Sequence, residues 1–441
     1  MRLSAWLPLA VLSASAVCGA AVRPRYGGTL RVETRAAPAV LDPGAADSAA
    51  PASLVFETLV YVDAAGVAQP RLAVSWQHDA GARRWQFNLR PGVKLHDGSP
   101  LTAATAAASL QIAMPGVTVA ASGEVLNIHA SRPLPDLLLD LAHTSWLETG
   151  PFRLTALDPG HRATFAANED YWGGRPFLDG IEVQFGRGPR DQLADLELGK
   201  ADVVELATAD LRRASDHGVT VWSSAPIDLI ALAFTPGHAE DSRLREALAL
   251  AIDRAAMHTV LLQKQGEIAG ALLPQWISGY AFLFPAGPDL ARARAMVNVL
   301  PPASRTLTLS YDPAMQSARS LAERLAVNAR DAGLAVQVSP QNPRADARLV
   351  EIRLRSLDAA QALAGIAAAL GLPAPAVPAA PSPAALYEAE AKLLEGFRAI
   401  PLFQLPLFHG AANRVRVYAP PPITRLGDWR FENIWLSGTA P

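Results

Sequence analysis

Residues 85–103 read Trp85-Gln86-Phe87-Asn88-Leu89-Arg90-Pro91-Gly92-Val93-Lys94-Leu95-His96-Asp97-Gly98-Ser99-Pro100-Leu101-Thr102-Ala103. Trp85, Phe87 and Leu89 alternate with Gln86, Asn88 and Arg90, the two-residue period of a strand with one buried face. Pro91-Gly92 then turns the chain, Val93 to Leu95 is expected to run back, and His96-Asp97-Gly98-Ser99 turns it again. Thr102 stands where a helix N-cap belongs, ahead of an alanine-rich run. The stretch therefore predicts an antiparallel meander that feeds a capped helix.

Outward from this block the pattern continues. Val117 to Val119 and Val125 to Ile128 flank Ser122-Gly123 as a hairpin would, so residues from about 45 to 145 form an α+β unit. Before it, Leu30 and Val32 alternate within Gly27-Gly28-Thr29-Leu30-Arg31-Val32-Glu33, which predicts a strand. After it the character changes. Gly180 to Phe185 is strand-like, Asp191 to Leu198 helical and stopped by Gly199, and Ala201 to Leu206 strand-like again. A second βαβ pattern follows at 305–338, where Leu321, Leu325 and Ala329 share one helix face and Gly333 ends it. Each unit predicts a parallel sheet covered by helices with a right-handed crossover. Between the units, Leu244, Ala247, Leu248, Ala251, Ile252 and Ala255 recur at helical spacing behind Asp241 and Ser242. Pro373 to Pro383 can only be a loop ahead of a helix from Ala384 to Phe397.

Composition sets the frame. The chain has 441 residues, half of them hydrophobic and 18% charged, which favours buried cores over disorder. One core is too few at this length, because single cores stop growing at roughly 250 to 300 residues, so at least two lobes are expected. With 39 Lys and Arg against 41 Asp and Glu, the net charge of −2 argues against a nucleic-acid partner. Arg2 followed by the apolar run Ala5 to Val17 is shorter than the roughly 20 residues that span a bilayer, and reads as a signal peptide with the mature chain beginning near Ala21. Cys18, the one cysteine, is a candidate lipid-anchor position, although Ser15 and Val17 depart from the pattern such anchoring requires. The mature chain is then thiol-free, which excludes thiol catalysis, thiolate metal sites and disulfides.

No Gly-x-Ser-x-Gly, His-Glu-x-x-His, phosphate loop or Gly-x-Gly-x-x-Gly is present, and the nine histidines are scattered singly. His96 beside Asp97 sits in turn chemistry rather than in an acid/base pair. No catalytic residue, cofactor or metal site is expected.

Several segments resemble one family. They are Pro70-Arg71-Leu72-Ala73-Val74-Ser75-Trp76, the block 85–103, Thr149-Gly150-Pro151-Phe152-Arg153-Leu154 and Tyr171-Trp172-Gly173-Gly174-Arg175-Pro176. Further along come Leu198-Gly199-Lys200-Ala201-Asp202, Arg243 through Arg254 and Ile400-Pro401-Leu402-Phe403. In order and spacing they are similar to the family 5 extracellular solute-binding proteins, which serve ABC importers of peptides, nickel and other solutes. The resemblance implies an α/β, two-lobed periplasmic binding protein (type II, Venus-flytrap) with a shortened α+β subdomain in lobe I. The expected divisions are 1–21 signal peptide, 22–44 lobe I, 45–148 subdomain, 149–235 lobe I again, 236–402 lobe II and 403–441 the return to lobe I. Asp253 and Arg254 are expected to pair near a helix end.

Three departures stand out. The helix after Thr102 carries Ala104-Thr105-Ala106-Ala107-Ala108 where the family has an acidic pair and bulky residues. The subdomain is short, and the Gly-Trp and Asp-Tyr-x-Asp-Pro block that helps peptide-binding members hold a ligand's amino terminus is absent. Position alone nominates Trp146 and Glu148, where the subdomain rejoins lobe I, and Trp276 and Tyr280, after the first helix of lobe II, as ligand contacts. The function implied is a monomeric periplasmic receptor that binds a peptide or other small solute and delivers it to an ABC permease in the inner membrane. A degenerate receptor acting as a non-transport sensor or interaction protein is the alternative.

Overall fold

The computed structural model describes residues 23–438 except 46, 64–65, 143, 145–146, 238, 281–282, 284–286, 379–380 and 420. The expected signal peptide, Cys18 and Trp146 lie outside these residues.

Leu30 and Val32 enter a core as their alternation predicts, but the pairing of their strand is not visible locally. Thr29–Glu33 lies between Gly180–Gln184 and Val203–Glu205, parallel to both. The first crossover, through helix Pro189–Glu197, therefore steps over the N-terminal strand rather than joining neighbours. Arg162–Ala167 and Phe152–Asp158 extend the edge in antiparallel fashion. Phe152, Phe165, Ile181 and Val183 pack there with Trp429 and Phe431 from the end of the chain.

The second lobe follows its sequence pattern more directly. Thr306–Tyr311 and Ala335–Pro340 are adjacent and parallel, and helix Ala318–Asp331 buries Leu321, Leu325 and Ala329 between them and the neighbouring helices. Asp241 caps helix Ser242–Ala251, its side chain accepting the Arg243 N–H at 2.9 Å. The helical pattern does not run through to Ala255. It breaks at Ile252, and Asp253 caps a new helix, Arg254–Val260, by accepting the Ala256 N–H. The expected Asp253–Arg254 pair does not form, because the buried Arg254 Nε donates to the Pro401 carbonyl at 3.0 Å. Helix Ala359–Ala369, capped by Asp358, was not legible, since an alanine run offers little contrast between faces.

The insert holds a four-stranded sheet in the order Ala73–His78, Arg84–Leu89, Val125–His129, Thr118–Ser122. Trp85 and Phe87 point into its core, and the 118–122/125–129 hairpin turns at Gly123 as read. Val93–Leu95, however, is not a returning strand. It forms a small loop pinned by a Lys94–Pro100 bridge and the Leu95 N–H to the Ser99 carbonyl, and the partners of Arg84–Leu89 come from elsewhere. Thr102 caps helix Ala103–Ala113 in a reciprocal box, each threonine hydroxyl accepting the other residue's backbone N–H. Gly150 marks the return to the first lobe, where a Cβ would lie 2.5 Å from the Leu54 carbonyl oxygen.

Two long antiparallel strands, Thr220–Phe234 and Ala399–Ala411, run through both lobes and join their sheets into one of eleven strands among the described residues. Their register shifts on either side of Pro226, which faces Pro406. Neither proline has an N–H, so the ladder is weakest where the lobes meet. Ser224 supplies a substitute, its Oγ accepting the Leu407 N–H at 2.9 Å. Two α/β lobes, a shared pair of crossing strands and an α+β insert make up the type II binding-protein architecture. Among the described residues no helix is long and apolar enough to cross a membrane.

Candidate functional site: a cavity between the lobes

A cavity of about 450 Å³ lies between the lobes. Ser53 and Phe56 face it from the start of the 45–148 segment, which packs on the first lobe's core, Tyr61 and Val62 from further along the insert, Leu354 and Leu357 from the second lobe, and Leu426 and Trp429 from the C-terminal segment. An apolar wall with a few placed polar groups is what small-solute sites need. Trp429 is rigidly held: its ring stacks on Phe431 at 4.9 Å, and its backbone N–H donates to Ser53 Oγ.

The charges around the cavity are fixed by partners. Arg353 lies opposite Asp228 on the neighbouring strand and donates twice to its carboxylate, at 2.9 and 3.1 Å. Burial works against this guanidinium, but Asp228, with Glu205 and Glu351 behind it, holds Arg353 above its usual range. Arg71 is held likewise by Glu57, which is fully buried and also accepts from Tyr171 Oη, Trp172 Nε1 and Thr149 Oγ1. Arg430 pairs with Glu432 and lies over the Tyr61 ring at 5.7 Å. Burial pushes the Asp428 carboxyl up while Thr424 hydrogen-bonds it. Arg355, from the second lobe, reaches across to the Gly44 carbonyl of the first. Beyond the Asp228–Arg353 pair a much smaller cavity, about 30 Å³, is lined by Arg35, Glu205, Glu351 and His409, and burial pulls His409 down to about 4.

Of the nominated residues, Trp146 lies outside the described residues, and Glu148, Trp276 and Tyr280 are not among those lining this cavity. Glu148 is exposed, and its carbonyl accepts the His96 N–H at 2.8 Å. The His96 ring donates from Nε2 to the Gly150 carbonyl at 2.9 Å, while Asp97 accepts the Ser99 N–H and closes a turn, as the turn reading expects. Trp276 and Tyr280 are partly buried against the second lobe's core and do not line the cavity. Trp276 Nε1 donates to the Pro226 carbonyl, and the cavity-lining Arg425 lies over its ring at 4.4 Å. Tyr280 Oη donates to Glu390 Oε2 at 2.6 Å, and burial lifts that carboxyl to about 7. Sequence reading missed Arg353-Leu354-Arg355 and Asp428-Trp429-Arg430. Their dense alternation of guanidinium and large apolar groups was the available signal.

This arrangement, a cavity between two α/β lobes joined by a pair of crossing strands, is that of a solute-binding protein. Residues 67–123 and 141–376 match the family described as bacterial extracellular solute-binding proteins, family 5 Middle, and the chain belongs to it. It is 24% identical over 289 residues to the nickel-binding periplasmic protein of Escherichia coli strain K12, covering 56% of this chain and 55% of that one. The chain thus spans about half the length of that relative. With the oligopeptide-binding protein AppA of Bacillus subtilis it shares 23% identity over 124 residues, 27% of this chain and 23% of that one. In structure it resembles NikA of Staphylococcus aureus in complex with Ni(L-His)2, with a TM-score of 0.79 at 14% identity, covering 93% of this chain and all of the other. AppA in complex with a nonapeptide gives a TM-score of 0.73 at 16% identity, over 94% of this chain and all of that one.

Proposed function

We propose that the protein is the periplasmic receptor of an ABC importer, which closes on a small peptide or a solute of similar size and presents it to an inner-membrane permease. The cavity between lobes that share a proline-weakened hinge carries this reading. Binding without covalent chemistry suffices, since closure buries the solute and excludes water. The cavity walls, rather than Trp276 and Tyr280, supply the contacts, and the leader read in the sequence accounts for export. The chain acts as a monomer whose lobes divide near residues 149, 236 and 403. A degenerate sensor would have no use for a deep cleft, so the cavity weighs against it.

Native mass spectrometry of protein purified gently from a periplasm tests the proposal. A ladder of co-purifying peptide masses, or one discrete solute mass, is the expected result. A bare protein that also stays unshifted with peptide mixtures overturns it.

A further inference from the structure

The insert and the second lobe meet at one acidic contact that the cavity does not use. Helix Leu137–Leu141 of the insert, with Asp136 at its N-cap, lies against the start of helix Ala359–Ala369 of the second lobe, whose N-cap is Asp358. Asp140 Oδ1 accepts the Gln361 Nε2–H at 2.8 Å, a hydrogen bond between residues 221 positions apart. Asp136, Asp140 and Asp358 together line a cavity of about 80 Å³ at this junction, with Arg132 the cation on its rim. Asp358 is buried and already holds the Gln361 backbone N–H at 2.8 Å, so it cannot swing away without uncapping its helix.

We propose that this contact is an acid-sensitive catch, which holds the insert against the second lobe, and so the cleft closed, more firmly as the surrounding pH falls. The inference rests on the receptor reading for its meaning but not for its test. Asp136, Asp140 and Asp358 share one small cavity where the insert meets the second lobe, a contact that moving the lobes apart would break, and like charges at close range disfavour full ionisation there. Opening returns Asp140 to water and separates it from Asp358. Removing one proton's worth of negative charge therefore favours the closed form. Protonated Asp140 still accepts from Gln361 through its carbonyl oxygen, so the hydrogen bond survives the change.

The direction of titration agrees. Burial first, then the charge of Asp358, lifts Asp140 to about 7, with Asp136 adding to the rise and Gln361 and Arg132 opposing it. Asp136 is raised by the same two causes. A group whose pKa is higher in the closed form binds its proton there, so closure is favoured as pH falls through about 7 toward the ordinary carboxylate range and is unaffected below it. Each unit of difference is a tenfold change in the closed-to-open ratio, and partial exposure trims the total to roughly tenfold.

Small-angle scattering of the purified, solute-free protein between pH 8 and pH 5 decides the matter, and because no solute is added a failure to find a ligand leaves the result intact. The wild-type radius of gyration is expected to fall as pH falls. Asp140→Asn, which keeps the acceptor for Gln361 and mimics the protonated acid, is expected to be compact at pH 8 and insensitive to pH. Asp358→Asn retains a helix cap and is expected to move the wild-type midpoint to lower pH, which provides a second reading if Asp140→Asn folds poorly. Identical pH curves for wild type and both variants overturn the catch, as does a wild type that expands on acidification.

Discussion

Asp228 and Arg353 face each other across adjacent antiparallel strands, and their doubly hydrogen-bonded pair separates the large interlobe cavity from the small one beside it. Asp228 is almost fully buried, so its charge depends on that guanidinium. Arg353→Ala leaves a buried carboxylate unpaired and is expected to cost about 3 kcal/mol in urea unfolding. Asp228→Asn combined with Arg353→Met removes both charges and is expected to recover most of the loss. Equal stability of wild type and Arg353→Ala would show that the pair contributes nothing.

Glu57 organises the joint between the first lobe and the insert, with Arg71, Tyr171, Trp172 and Thr149 all donating to it. Glu57→Gln places an NH2 among donors and strands Arg71, so a loss of about 2 to 4 kcal/mol is expected. Thermal unfolding checks this, and a melting temperature within a degree of wild type would refute it.

Glu390 makes the folded chain pH-dependent in a chosen direction. Burial lifts its carboxyl to about 7, against the opposing hydrogen bonds from Tyr280 and the Leu272 N–H. Its folded pKa exceeds the unfolded one, so the stabilisation is complete below roughly pH 4.5 and is lost as pH rises to about 7, flattening beyond. Glu390→Gln is expected to flatten that part of the melting curve against pH. An unchanged slope would place the titration on another group.

Tyr61 and Trp276 separate the cavity from the packing around it. Tyr61→Ala removes a cavity wall that is partly exposed, and is expected to weaken binding of the co-purified solute by about 1 to 3 kcal/mol with little change in stability. Trp276→Ala instead empties a place in the second lobe's core and unseats Arg425, with an expected stability loss of about 3 kcal/mol. Calorimetric titration and chemical unfolding on both variants distinguish the two roles. The opposite pattern would return Trp276 to the ligand site.

What the sequence disclosed was local. Thr102, Asp241 and Gly123 act where they stand because caps and turns depend on a few neighbouring atoms. The insertion of Thr29–Glu33 between strands some 150 residues away left no local trace. Val93–Leu95 misled because a short alternating run suits a strand only when a partner is free, and Arg84–Leu89 already has Ala73–His78 and Val125–His129 on its two sides. The cavity was harder still. Ser53 and Trp429, hydrogen-bonded to each other beside it, are 376 positions apart, and no spacing rule links such residues.

Because Thr29–Glu33 waits for Val203–Glu205, and that strand in turn waits for Ala399–Ala411, the first lobe cannot be finished until nearly the whole chain has been made. Such long-range pairing folds slowly, since wide loops must close before their contacts repay them. An incomplete chain therefore lacks the strand that closes its first lobe. The same wiring that brings the two ends of the polypeptide into one lobe keeps an unfinished copy loose, and delays its locking until the last long strand arrives.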